Sequence, residues 1–486
     1  MKKYLTLTLV AAAALAQQPQ PEDKSVDLSK VERKNKAPVS KDLIKVHIPK
    51  PVEAKLDNGL TVLVIENHKL PYVSMQLLID GAGPISEPDS KSGLASATAA
   101  LMTQGTPTRT SLQIAEQTDR FGAGLSAGSP FGGNSAMISV SGLSETMDKW
   151  FPLFTDVLLR PSFPEKELKN YQQRSLVNLK RQRSSPEFLA SERFNRAVYG
   201  KFPASNVSAS AEFLESMTPA MLKQWHDERY VPQNAILGIA GDVNPAQVIA
   251  MVKKSLADWK KTDLDAKLPT SASPVSAKRV YLINRPASVQ TNIVIGNIAI
   301  DRRSPDYVAL RVANQVLGGS SASRLFMKLR EEKGYTYHAA SMVHAFQFAG
   351  PWLAESDVRT EVTEGSLLEF FNEFRRLSSE KTPLPELDDA KRTIVAKFAL
   401  SLESPASALT SAIEVKRYGL PANYWDTFPE KVDAVTPDDV IRVAKKYINP
   451  DTAQIVVVGD ADKIKAVMEK YGPITMYDTE GKELAN

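Results

Sequence analysis

The chain contains no cysteine among its 486 residues, which excludes a disulfide framework and a lipid-anchor cysteine, so an exported form must rest on its core alone. Beyond the N-terminus no apolar run approaches the ~20 residues of a membrane helix, which excludes a membrane span in the mature chain. Histidine is sparse. The five are His47, His68, His226, His338 and His344, and no two stand at i and i+4, so no imidazole pair shares a helix face. His226, followed by Asp227 and Glu228 before a surface-type turn, is expected to be solvated. An excess of one charge is also missing: the formal net charge is +4, which gives no support to a nucleic-acid partner. What remains, 43% hydrophobic and 24% charged, is the composition of a globular chain long enough for two or three cored domains.

The first residues read as a secretory signal: a basic start at Met1-Lys2-Lys3, an apolar run from Tyr4 to Ala14, and Ala14-Leu15-Ala16 as a cleavage site before Gln17. Residues 1–16 are therefore expected to be removed, which takes Lys2 and Lys3 and leaves +2. Residues 17–51, rich in Pro, Lys, Asp, Glu and Ser, read as a flexible arm, with order beginning near Val52. Strand character follows at Leu60 to Ile65, Val73 to Ile79 and Ala136 to Val140. Helical spacing follows at Gly93 to Met102, Leu112 to Phe121, Ser144 to Leu158 and Glu165 to Arg183.

An internal repeat sets the architecture. Thr218-Pro219 opens a helix, followed by Pro232 and a strand ending in Gly241-Asp242; Thr436-Pro437, Pro450 and Gly459-Asp460 repeat the series at one offset of 218. Threonine at the N-cap with proline in the first turn gives each copy its start signal. Pro164-Glu165 and Pro385-Glu386 also open matching polar helices, each followed by a Ser-Pro, at Ser185 and Ser404. The reading is an α+β fold of two homologous domains, each a mostly antiparallel sheet packed with helices. They span 52–262 and 278–475, with a Pro/Ser-rich linker at 263–277 and a tail at 476–486.

Gly81 to Glu87 precedes Gly93-Leu94-Ala95-Ser96-Ala97-Thr98-Ala99-Ala100, closed by Gly105-Thr106. This frame resembles that of the pitrilysin/insulinase (M16) zinc peptidases, in which a helix of the type G-L-A-H-x-x-E-H binds the metal. Ser96, Ala99 and Ala100 stand where that family has His, Glu and His. Two imidazoles at i and i+4 hold zinc and the glutamate activates its water, and alanine can do neither. The resemblance also places a third ligand, a glutamate, in the helix from Glu165 to Arg183, where Ser175 to Leu179 contains no acid. No metal site and no cofactor on this chain is the resulting expectation.

The second domain carries Leu317-Gly318-Gly319-Ser320, then Ser323-Arg324-Leu325-Phe326, then Leu329-Arg330, Gly334 and Tyr337. This resembles the family's second-domain signature, whose Arg and Tyr, seven residues apart, reach the substrate held at the zinc. Arg330 and Tyr337 have that spacing. A guanidinium can grip a substrate carbonyl or carboxylate, and a phenol can donate to the oxyanion that forms as water attacks. The bland alternative is that Arg330 pairs with a nearby glutamate and Tyr337 packs at a strand edge. Gly318, Gly319 and Ser320 are candidate substrate contacts by the same resemblance, or a helix C-cap. Gly124-Leu125-Ser126-Ala127-Gly128 matches the serine-hydrolase pattern, but it lies after helical spacing and before a strand, the reverse of the strand-to-helix turn that chemistry needs.

The resemblance thus implies the non-zinc subunit of a heterodimeric peptidase. A zinc-bearing sibling would supply the metal, while this chain binds peptide and offers Arg330 and Tyr337 in trans, as in processing peptidases and their bacterial relatives. It further implies a periplasmic location in a Gram-negative bacterium. The alternatives are a pseudopeptidase scaffold or peptide-binding protein without catalytic role, and a self-sufficient hydrolase, which no residue pattern favours. The purified chain is expected to hold far less than one zinc, measured by elemental analysis. Ser96→His, Ala99→Glu and Ala100→His together should not restore binding, because Ser175 to Leu179 still offers no acid; one tightly held zinc per unmodified chain would overturn this reading.

Overall fold

A computed structural model describes residues 44, 46, 48–264 and 267–485. The expected signal segment and nearly all of the arm 17–51 lie outside the described residues. The first half contributes β1 (Val52–Lys55), β2 (Thr61–Glu66), β3 (Tyr72–Asp80), the short pair β4 (Gly105–Thr106) and β5 (Arg109–Thr110), β6 (Gly124–Gly128), β7 (Ser135–Leu143) and β8 (Ala235–Gly241). The second contributes β9 (Arg279–Asn284), β10 (Gln290–Ile300), β11 (Thr336–Val343), β12 (Gly350–Arg359), β13 (Gln454–Gly459) and β14 (Ile474–Tyr477). Helices Leu94–Met102, Ser111–Arg120, Met147–Leu159 and Glu165–Gln182 fall within a few residues of their expected positions.

The two sheets have the same topology. Strands run β1-β2-β8-β3-β7-β6 in one and β14-β9-β13-β10-β12-β11 in the other, so the repeat at offset 218 places β8 and β13 at equivalent central positions. In each, the equivalent pair β2–β8 or β9–β13 is parallel and the pairs on the other side are antiparallel. Only the outer strand breaks the symmetry: β1 arrives from the N-terminal side and pairs antiparallel, whereas β14 comes from the C-terminal end and pairs parallel. Both repeat helices carry the expected cap, with Thr218 accepting from the Met221 N–H and Thr436 from the Asp439 N–H.

One face of each sheet is covered by helices of its own half, around Trp150, Phe154 and Trp225 in the first and Trp352, Phe370, Phe374 and Phe428 in the second. The other face is covered by a helix from the opposite half. Helix Pro186–Tyr199 lays Leu189, Ala190, Phe194 and Val198 on Ile283, Val294, Val456 and Val458. Helix Pro405–Tyr418 in turn lays Ala408, Leu409, Ala412 and Ile413 on Leu63, Ile65, Leu78, Ile236 and Ala240. Polar contacts frame this exchange: Arg417 pairs with Asp80 at 2.8 Å, Gln347 also donates to Asp80 at 3.0 Å, and Glu192 holds Arg183 at 2.6 Å and Arg196 at 3.0 Å.

Several segments are more ordered than their composition suggests. Ile48, assigned to the arm, is buried in the second core, and its N–H meets Asp426 at 3.5 Å. Met476 and Tyr477, assigned to the tail, complete β14. The chain then turns back so that Leu484 N–H bonds to Met476 O, while Arg193 stacks on the Tyr477 ring at 3.4 Å and donates to Gly481 O. Leu268 and Ala272 of the linker pack on the aromatic cluster around Phe348. His226 is also corrected: it is 7% exposed, its Nε2 lies 2.8 Å from Leu158 O, and its ring stacks on Tyr230. Burial lowers its pKa, so the neutral ring donates to that carbonyl. It shares the inner helix stripe with Leu222 and Trp225, a spacing that outweighs its acidic neighbours.

Gly238 of β8 shows how close the exchanged helix comes, because a Cβ there would lie 2.5 Å from Leu409 Cδ1 and 2.9 Å from Ile413 Cδ1. Gly238→Val should destabilise the fold by about 1–3 kcal/mol, the usual range for overpacking, read as a fall in urea midpoint. Gly128→Ala, with open space at its Cβ, should leave the midpoint unchanged. Equal midpoints for Gly238→Val and the parent would contradict the tight packing.

Candidate functional site

The helix Leu94–Met102 that carries the altered metal frame starts at Gly93, whose φ of +105° is left-handed and whose Cβ, if present, would lie 2.5 Å from Ala209 Cβ. Glu87 caps this start, accepting the N–H of Gly93 at 3.0 Å and of Ala95 at 2.6 Å. Burial outweighs these bonds and pushes its carboxyl up to about 7. Downstream, Ser96 donates its hydroxyl to Ser129 O at 2.7 Å, Ala99 is buried and Ala100 half-buried. Helix Glu165–Gln182 packs against this helix, as a third ligand would require, but Val177 points outward, 68% exposed, and Asn178 is engaged by Arg181. Among the described residues no group of three or more His, Cys, Asp or Glu is placed to hold a metal ion.

The second constellation lies at one end of β11, the edge strand of the second sheet. Helix Tyr307–Gly318 abuts it: a Cβ on Gly318 would sit 2.3 Å from Ser341 N, so glycine permits the contact. Gly319 is the C-cap of this helix, with an ordinary right-handed φ of −82° rather than a left-handed one. Ser320 uses its carbonyl to accept from Ser323 N–H and hydroxyl. Arg324 then anchors the segment by two parallel bonds to Glu386, at 2.7 and 2.9 Å, at the start of helix Leu384–Ser401.

Two departures from regular backbone bracket the Arg/Tyr pair. Met327–Glu332 forms a π-helical turn, with Lys333 N–H reaching Lys328 O, and Arg330 sits within it. Gly334, at φ +61° with open space around it, lets the chain reverse into β11. There Thr336 pairs with Val358 and Ala339 with Ser356, so Tyr337 and His338 form a bulge opposite Asp357. Thr336 and Ser356 pin it by donating to Asp357 O and His338 O. Tyr337 is consequently 87% exposed, and it contributes nothing to the core. Arg330 stacks on Phe326 at 4.9 Å, and the carboxylate nearest it is that of its sequence neighbour Glu331, at 3.5 Å. The bland alternative is met in part: Arg330 has Glu331 as its nearby carboxylate, whereas Tyr337 is exposed rather than packed.

The pair therefore belongs to the second half and the altered metal frame to the first. Gly124–Gly128 is the edge strand β6, which rules out a nucleophile turn at Ser126. Glu386, paired to Arg324, was a residue that sequence alone offered only as a helix start.

A duplicated α+β fold with Ser96, Ala99 and Ala100 in the helix of the metal-binding frame, and with no metal-holding group among the described residues, defines a chain of peptidase type. Residues 61–209 match the family described as "Insulinase (Peptidase family M16)" and residues 216–394 that described as "Peptidase M16 inactive domain". The chain belongs to peptidase family M16. It is 24% identical over 415 residues to an uncharacterized zinc protease of Rickettsia felis, covering 83% of this chain and 96% of that one. It is 22% identical over 410 residues to a non-peptidase homolog of Helicobacter pylori, covering 83% and 93%. A crystal structure of a peptidase M16 inactive domain from Pseudomonas fluorescens is similar with TM-score 0.78 and 28% identity, over 84% of this chain and 97% of that one.

Glu87 makes the metal-less helix pH-sensitive. The folded carboxyl stays protonated up to about 7 while the unfolded one ionises near 4.5, so stability is highest below that window and falls as pH rises through it, by up to about 3 kcal/mol. Glu87→Gln, which keeps an acceptor for one N–H, should flatten the drop in urea midpoint between pH 5 and pH 8. The same drop in parent and variant would mean that Glu87 is not its source.

Proposed function

We propose that this chain is the metal-free subunit of a heteromeric M16 peptidase: it binds peptide and presents Arg330 and Tyr337 in trans to a zinc-bearing sibling. The observation that carries the reading is the presentation of this pair by a π-turn and a β-bulge, with Tyr337 solvent-exposed and Arg330 without a carboxylate from another element. Such groups act where charge develops: the guanidinium holds a peptide carbonyl and the phenol donates to the oxyanion. The metal and its activated water reside on the sibling, and an extended peptide adds to exposed strand edges of the chamber. The open edges β6 and β11 suit that mode. Gly318, Gly319 and Ser320, at the foot of β11, are part of the proposed peptide-contacting region, and the signal-like start makes export to the periplasm the proposed setting.

In the assembled complex Arg330→Ala or Tyr337→Phe should leave association intact yet lower peptide hydrolysis by on the order of a hundredfold, the usual loss for one oxyanion donor. Lys333→Ala, in the same turn but paired with Glu369, should do little. Co-purification and cleavage of a quenched fluorescent peptide on the same preparations separate the readings: full activity of Arg330→Ala/Tyr337→Phe with the complex still formed would favour a scaffold.

A further inference from the structure

At the seam between the two halves lies a polar cavity that neither the packing nor the Arg/Tyr pair uses. Where helix Pro186–Tyr199 crosses the second sheet, its apolar residues cover Val294 and Leu353. Beyond them the same sheet face continues as Glu355 and Asp357 of β12 and Asn292 of β10, since residues two apart in a strand share a face. The helix meets this stretch with Glu187, Ser191 and Asn195, four apart on one stripe. His338, beside Tyr337 in the bulge, closes the end. The enclosed volume is about 150 Å³, room for the head of one polar side chain.

Carboxylates predominate among the polar groups of this cavity. Asn292 is 6% exposed and donates Nδ2 to Asp357 Oδ1 at 2.6 Å. A carboxylate only accepts, so the amide orientation is fixed and Asn292 Oδ1 is left buried without a partner. Of the donors lining it, Asn195 Nδ2 gives one N–H to Ser191 O and Ser356 its hydroxyl to His338 O, which leaves the Ser191 hydroxyl and the His338 ring at the rim. Burial, and then the neighbouring Asp357, hold the Glu355 carboxyl above its usual range against the opposing effect of His338. Two half-buried carboxylates beside a buried amide oxygen without a partner are unfavourable, and their complement is a cation bearing several N–H groups.

We infer that this cavity is a subsite for a cationic head group of a bound peptide, a lysine or arginine side chain or a free N-terminal ammonium, held by Glu355, Asp357 and Asn292 beside His338. The inference rests on the peptide-binding reading, but its test needs neither sibling nor hydrolysis. The mature chain is titrated calorimetrically with Nα-acetyl-argininamide, Nα-acetyl-lysinamide and leucinamide, which separate side-chain from N-terminal cations, and with Nα-acetyl-citrullinamide as a neutral isostere. At least one cationic probe should bind saturably while the citrulline compound does not. Glu355→Gln should weaken that binding at least about tenfold, as loss of one partner of a buried charge pair does. Ser191→Lys, at an exposed helix position, should block it by a tethered ammonium and serves if the cavity variant fails to fold. No saturable binding of any cationic probe, or equal binding by the parent and a folded Glu355→Gln, would overturn the inference. Probe binding here alongside an inert Arg330→Ala/Tyr337→Phe pair would sink only the trans-acting role.

Discussion

The structure depends on a reciprocal exchange of helices. Each six-stranded sheet has two apolar faces, and each half's other helices cover only one of them. Central strands β8 and β13 are buried along their whole length, so an uncovered second face would expose a run of Ile, Leu and Val. Fully burying one such side chain is worth about 1.5–3 kcal/mol, so neither half can leave that face bare. Pro186–Tyr199 and Pro405–Tyr418 solve the problem mutually, and each half is completed by the other. The exchange also shapes the polar cavity at Glu355 and Asp357, a margin where the covering helix runs out of apolar residues before the sheet does.

Much of this is legible in sequence and some is not, for identifiable reasons. The duplication is visible because Thr-Pro starts and Gly-Asp ends recur at one spacing, and those residues act locally, as caps and turns. The altered metal frame and the Arg330/Tyr337 spacing are visible because their meaning lies in residue identity. The exchange is not, since an amphipathic stripe such as Leu189, Ala190, Phe194 and Val198 states that a face must be buried without naming its partner. Ile48 and Met476 were assigned to an arm and a tail because short segments carry little periodicity, and their order comes from long-range contacts. His226 went astray for the opposite reason, its charged neighbours masking a helical phase that places it inward.

Loss of the metal ligands has a physical consequence for the first half. Ala99 is buried at the position where the family pattern has a glutamate, and burying an ionised carboxylate there without a metal or partner would be strongly unfavourable. Small apolar residues let the helix pack as an ordinary core element, with Ser96 turned back onto Ser129 O. Glu87 is the exception. Its position at the helix start matters with or without a metal, since two backbone N–H groups would otherwise lack acceptors. The frame around Ser96, Ala99 and Ala100 thus contains the groups that build the helix.

The second half has followed a different course. A π-turn and a β-bulge each interrupt regular hydrogen bonding, and here both are held by specific anchors: Arg324 on Glu386, Thr336 on Asp357 O and Ser356 on His338 O. None of these anchors buries Tyr337 or neutralises Arg330 across elements. A chain whose only task was to fold could replace the bulge with regular pairing to β12 and turn an aromatic side chain into the core. The irregular backbone leaves the Tyr337 phenol exposed, and Arg330 lies in the turn that precedes it. The same bulge places His338 at the mouth of the acceptor-lined seam, so one local irregularity presents the pair outward and shapes the cavity inward.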